Sequence, residues 1–150
     1  PLPESINSLA ISCPEATTLP DGSRIICKAG GKAWIVAPSC TQVSSTWGYS
    51  TTEDVPGTEL FPAECWPTLC SQLISCGFNP SDWFVPCREL LQNPGYVCRT
   101  NWDSFDTTCY WSSTENGATG AITVRYYNGT PIGCGKTNTL NVRAFRCVTY

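Results

Sequence analysis

The chain has 150 residues, 14% of them charged, and a formal net charge of -3. One ordinary domain of this length removes roughly 68–70% of its extended-chain surface from water on folding, enough to build a core without staples. The weak negative charge offers no basic field for phosphate backbones, which argues against a nucleic-acid partner. No apolar run approaches the roughly 20 residues that cross a bilayer, which argues against membrane insertion.

Residues 1–22 scatter Leu2, Ile6, Leu9 and Ile11 among Pro1, Pro3, Pro14 and Pro20. Proline removes a backbone donor and restricts the residue before it, so a long helix is not expected here. The stretch reads as an extended N-terminal arm, either a loosely ordered terminus or an assembly arm whose apolar residues dock on neighbouring subunits. The chain contains no Met and shows no basic-then-apolar opening. Its start accommodates removal of an initiator Met or of an unseen leader, and does not decide the compartment. The domain proper is expected over 23–150.

Within it, Ile25-Ile26-Cys27 and Ala33 to Ala37 are apolar runs joined through Gly30-Gly31, the signature of a tight β-hairpin. Residues 40–57 are Ser/Thr-rich and read as loop. From Leu60 to Gly77, Cys65, Leu69, Leu73 and Cys76 recur every three to four or so residues, with Pro62 and Pro67 near the start, which predicts a helix. A second, shorter helix is predicted over Arg88 to Gln92. Cys109 to Glu115 and the closing run Asn141 to Cys147 read as two core strands, rich in aromatic, β-branched and apolar residues. Ala121 to Tyr127 forms a third strand, closed by an Asn128-Gly129 turn, inside a long, polar, Gly-rich excursion. Trp83, Trp111 and Phe145 are expected in the structural core, where large rings bury the most area.

Eleven cysteines lie in the chain, with no Cys-x-x-Cys pair and no histidine. The usual zinc frameworks are therefore absent, and neither a metal nor a cofactor is expected. The cysteines allow an oxidised framework of up to five bridges, each contributing about 2–4 kcal/mol, or reduced thiols acting as small apolar residues. Mixed or reduced thiols are favoured, since the length supports a core on its own, and the odd count leaves at least one cysteine free or bonded to another chain.

Four linked motifs carry a resemblance: Ser81-Asp82-Trp83-Phe84-Val85-Pro86 followed by Arg88-Glu89-Leu90; Tyr110-Trp111-Ser112-Ser113-Thr114-Glu115; the strand ending at Asn128-Gly129 with Lys136 beyond it; and Val142-Arg143-Ala144-Phe145-Arg146. In order and spacing over about residues 23–148, the chain resembles the domain at the C terminus of bacterial collagen-like adhesins, common in bacterial surface and phage structural proteins. It departs from that family in its cysteine content, in Cys87 after Trp-x-x-Pro, and in Phe145 between the two arginines. The resemblance implies an α+β, C-type-lectin-like fold, with two helices packed on a twisted antiparallel sheet and a long loop-rich face used for binding.

Acid–base chemistry at neutral pH without histidine needs a perturbed carboxylate, Cys or Lys. Asp103, Asp106 and Glu115 lie near one another in sequence, but nothing marks them as an acid and base pair, and they are expected to be caps and surface charges. A catalytic cysteine lacks its usual partner, so the chain is expected not to be an enzyme. Asn101-Trp102-Asp103 holds the residues of a lectin calcium strand in another order, without the companion loop, and no calcium site is expected. Arg143 and Arg146 are expected to pair with carboxylates such as Glu89 or Glu115. Ligand contact is assigned to Trp102, Asn116, Thr119, Arg125, Tyr127, Lys136 and Asn138, because recognition concentrates on loops held by a rigid scaffold.

Together these point to a non-enzymatic binding or assembly module of a phage virion surface or tail. Its expected partners are other virion or surface-assembly subunits through the arm, and a host-surface glycan or protein. An extracellular, bacterial cell-surface adhesin domain binding glycans is the alternative, and a lectin-like-fold enzyme the more distant one.

Overall fold

Gly30 and Gly31 adopt φ of 59° and 77° in the computed structural model, which describes residues 13–58 and 61–150. Two successive positive φ values are what a two-residue hairpin turn needs to match the twist of its strands. The turn joins β2 (Arg24–Ala29) to β3 (Lys32–Val36), with Ala29 opposite Lys32 and Cys27 opposite Trp34. On one side of this hairpin lies the short β1 (Thr17–Thr18); on the other, β9 (Phe145–Thr149) pairs antiparallel with β3, Val36 opposite Phe145. The first sheet therefore has the order β1-β2-β3-β9 and sets the last strand beside the amino-terminal hairpin.

The second sheet has the order β4-β8-β5-β6-β7. Its members are β4 (Val43–Ser45), β5 (Cys109–Glu115), β6 (Gly120–Arg125), β7 (Pro131–Gly135) and β8 (Leu140–Val142). All its pairs are antiparallel except β5 with β8, which run parallel at Tyr110 and Asn141. Among the described residues the architecture is thus α+β, with two α-helices and two sheets rather than the single antiparallel sheet expected.

The closing run 141–147 does not form one strand. Val142, Arg143, Ala144 and Phe145 are all buried, which a strand with alternating faces cannot achieve on one side of a sheet. The chain instead turns a corner at Arg143 and Ala144. It leaves the five-stranded sheet as β8 and enters the four-stranded one as β9, with the Ala37 amide donating to the Ala144 carbonyl at 3.0 Å.

Helix α1 spans Pro67–Ser75, with proline in its first turn where a missing donor costs least. Leu69 and Leu73, one turn apart, are its buried residues. The expected stripe was wider: Cys65 lies on the separate 3-10 turn Ala63–Cys65, and Cys76 caps the helix. Helix α2 is only Arg88–Leu90, continued by an irregular turn through Asn93.

All six tryptophans are buried, none more than 3% exposed, Trp83 and Trp111 among them, and Phe145 is fully buried. The core has two parts. Trp102, Tyr110, Tyr126 and Phe145 fill one, together with Ile26, Trp34 and Val36; Trp47, Trp66, Trp83 and Trp111 fill the other, against α1. Buried indole N–H groups require acceptors. Trp111 donates to the Ser45 carbonyl at 3.0 Å, Trp47 to the Ser112 carbonyl at 3.0 Å, and Trp66 to the Ser45 hydroxyl at 2.8 Å. The short β4, missed in the Ser/Thr-rich stretch, is held by these tryptophans as much as by its strand partner.

Residues 13–22, placed in the arm on sequence grounds, are tied to the domain through β1 and the disulfide Cys13–Cys98. Leu2, Ile6, Leu9 and Ile11 lie outside the described residues.

Candidate ligand-contact surface

Strand β6 organises the excursion, and the residues assigned to ligand contact divide between its two ends. Asn116, Thr119 and Asn138 gather at its start, where the Thr119 carbonyl accepts from the Lys136 amide at 2.8 Å and the Asn116 side chain sits over Gly133. Asn138 turns its amide back onto the Gly135 carbonyl at 3.0 Å. Arg125 and Tyr127 lie at the other end, about 20 Å away at the rise of an extended strand. No single site includes both groups.

Two of the seven residues are interior. Trp102 is 3% exposed and ringed by Tyr110, Tyr126 and Phe145, with centroids 5.6, 5.2 and 5.5 Å away. Its indole donates to the Gly95 carbonyl at 3.2 Å. A ring so placed contributes to stability, with truncation costing about 3–5 kcal/mol, and presents no face to a ligand. Lys136 is fully buried. Its Nζ donates to Glu115 Oε2 at 2.7 Å and to the Glu53 carbonyl at 2.9 Å, over the ring of Trp47 at 4.3 Å. A loop lysine is normally solvated; here the 49–58 loop folds over it, and nothing local in the sequence announces that.

The Tyr127 end is better furnished. Tyr127 is 61% exposed. Behind it, Asn128 Oδ1 accepts from the Thr130 amide at 3.0 Å and the Thr130 hydroxyl at 2.7 Å, so Asn128-Gly129-Thr130 is a self-bonded turn. Gly129 has φ +77° and lies so close to Tyr96 that an added Cβ would come within 2.5 Å of the ring, which restricts this position to glycine. Gln92 Nε2 donates to the Gly129 carbonyl at 3.1 Å, Arg125 reaches the Thr130 hydroxyl at 3.3 Å, and Arg99 stacks on Tyr96 at 4.0 Å. The hairpin tip is therefore seated on a base of Gln92, Tyr96 and Arg99 that sequence reasoning did not nominate. The only sequence trace was the Asn-Gly turn, which fixes the tip but not what it rests on.

The acidic residues are committed elsewhere. Asp103 pairs with Arg143 and accepts from the Ser39 amide at 2.7 Å; Asp106 accepts from Gln42 at 2.9 Å; Glu115 holds Lys136 and the Val55 amide, the latter at 2.8 Å. The pairings expected for the arginines differ accordingly: Arg143 takes Asp103 rather than Glu89 or Glu115, and Arg146 lies over the Trp83 ring at 5.6 Å. Burial pushes Asp103 up, but the Ser39 amide and the Arg143 guanidinium outweigh it and hold the carboxyl below its ordinary value. Burial also pushes the Cys27 and Cys65 thiols up. Desolvation, the Cys76 thiol and Asp103 push Cys40 to about 11, which is opposite to what a nucleophile needs. Among the described residues, no three His, Cys, Asp or Glu side chains are grouped to hold a metal ion, and no helix is long and apolar enough to cross a membrane.

No protein-family model matches this chain, and no curated protein matches it.

Proposed function

We propose that the chain is a non-enzymatic, lectin-like binding or assembly module of a phage virion surface or tail, contacting a host-surface glycan or protein through the Tyr127 end of β6. The observation that carries this reading is the exposure of Tyr127. In a chain that buries all six tryptophans, a tyrosine 61% exposed at the tip of a hairpin braced from below is surface available for recognition. Tyrosine and arginine supply contact area at low entropic cost. A C-type-lectin-like arrangement is supported by the α+β layering and by β9 lying beside the amino-terminal hairpin. The commitment of Asp103, Asp106 and Glu115 to structural bonds supports a binding rather than a catalytic role. Leu2, Ile6, Leu9 and Ile11 are proposed to attach the module to neighbouring subunits.

A bacterial cell-surface adhesin is the second reading, favoured by the Cys13–Cys98 bridge, since such bonds persist in oxidising settings. Proteomics of purified particles separates the two: the chain is expected in virions, and its recovery in a cell-envelope fraction instead overturns the first reading. For binding, Tyr127→Ala is expected to abolish glycan-array signal with thermal stability unchanged. Absence of signal for the unaltered protein on every glycan, and on isolated host-surface proteins, removes the recognition role and leaves an architectural one.

A further inference from the structure

The 3-10 turn Ser39–Thr41 docks on the C-terminal end of α1 through two cysteines and a glutamine. Cys76, which caps the helix, donates its thiol to the Cys40 carbonyl at 3.1 Å. Gln72, one turn earlier, donates to the same carbonyl at 2.7 Å and reaches the Cys76 sulfur at 3.8 Å. The Cys76 sulfur thus lies against the main chain of Cys40, which puts the two side chains beside each other. Cys40 is exposed and Cys76 half-buried, so an oxidant reaches the pair from solvent. Gln72 and Cys76 hold the Cys40 carbonyl from the same side, so the turn and the helix end are kept together where a bridge would join them.

We propose that Cys40 and Cys76 are a disulfide-forming site, closing a second bridge beside Cys13–Cys98 when the protein meets an oxidising disulfide. The thiolate of one cysteine attacks the external disulfide R–S–S–R and expels RS⁻. The thiolate of the other then attacks the mixed disulfide and expels the second RS⁻. Two thiols lose two protons and two electrons, and one R–S–S–R becomes two RSH. The bond encloses 36 residues of separation, including β4, the loop that covers Lys136, and all of α1. Cross-linking such a loop restricts the unfolded chain; the Cys76 S–H bond to the Cys40 carbonyl is given up, and the Gln72 amide goes on donating there.

The test uses the full chain incubated with oxidised glutathione, alkylated, digested without reduction and mapped by mass spectrometry. The expected product is a cross-linked peptide pair holding Cys40 and Cys76, lighter by two hydrogens than the separate peptides. Cys65, on the 3-10 turn before α1, and Cys70, within α1, are the internal competitors. Recovery of Cys40 and Cys76 both alkylated, or of either joined to Cys65 or Cys70, overturns the proposal. Cys40→Ser and Cys76→Ser are each expected to lower the melting temperature of the oxidised protein by roughly 10 °C. The double variant is expected to fall no further. Losses that add, and that are as large under reducing conditions, assign the two thiols to packing alone and equally overturn it.

Discussion

Arg143 and Lys136 are both buried cations, 1% and 0% exposed, each lying over a tryptophan ring and each neutralised by a carboxylate at the rim, yet they hold the molecule differently. The planar guanidinium of Arg143 donates in several directions at once: to the Ala37 carbonyl at 2.7 Å, Gln42 Oε1 at 2.8 Å, the Ser104 carbonyl at 3.0 Å, and Asp103. Those acceptors come from the end of β3, the approach to β4 and the loop before β5, so one side chain at the corner between β8 and β9 joins both sheets. Among the described residues the ammonium of Lys136 holds Glu53 and Glu115, and through Glu115 the Val55 amide. It pins one loop. The contrast follows from donor geometry, a rigid five-donor fork against a compact point charge.

The largest expected effect tests the fork. Arg143→Met takes a donor from Asp103 and from three further acceptors, and breaking a buried pair from one side costs about 3–5 kcal/mol. Arg143→Lys keeps the charge but reaches fewer of the acceptors, and is expected to lose most of that stability as well. Urea unfolding measures both. A lysine variant within about 0.5 kcal/mol of the parent, the range of an unremarkable surface change, would show that charge rather than geometry carries the corner.

Lys136→Met is expected to cost less, about 2 kcal/mol, because it takes a donor from two acceptors rather than four and affects one loop rather than a corner between two sheets. The sharper signature is local. Hydrogen exchange is expected to accelerate at Val55 while protection in β3 and β5 is retained. Equal acceleration in the strands would place Lys136 in the same cooperative unit as Arg143 and erase the distinction between them.

That distinction was only half legible in the sequence. Trp83, Trp111 and Phe145 were readable as core because each sits in a short apolar run, and the Gly30-Gly31 hairpin because the turn chemistry is local. The split of 141–147 was missed because four successive buried residues look, in one dimension, like one strong strand. β7 was missed because Pro131, Gly133 and Gly135 have low strand propensity; it forms as an edge strand on β6, with Gly135 opposite Gly120. Trp102 and Lys136 were assigned to the surface by their place in loops. Trp102 is covered by Tyr110, Tyr126 and Phe145 and Lys136 by the 49–58 loop, partners brought up by the tertiary fold, and propensity carries no information about such contacts.

The smallest expected effect concerns the rim carboxylate of the stronger anchor. The folded-state pKa of Asp103 lies below its unfolded value, so its contribution to stability is fully present above the unfolded value of about 3.9 and is lost as pH falls through the folded one. The remaining carboxylates titrate alike in the parent and in Asp103→Asn, so the difference between the two isolates this group. Asp103→Asn is expected to be less stable at neutral pH, with the gap narrowing as pH drops below about 4. Since the Asp103 side chain is 25% exposed, solvent screens part of the attraction, and the narrowing is smaller than the loss caused by removing Arg143 itself. Urea midpoints that fall in parallel for the two proteins down the acid limb would mean that Arg143 is held by its carbonyl acceptors alone, and the parallel with the Lys136–Glu115 pair would then end at the carboxylate.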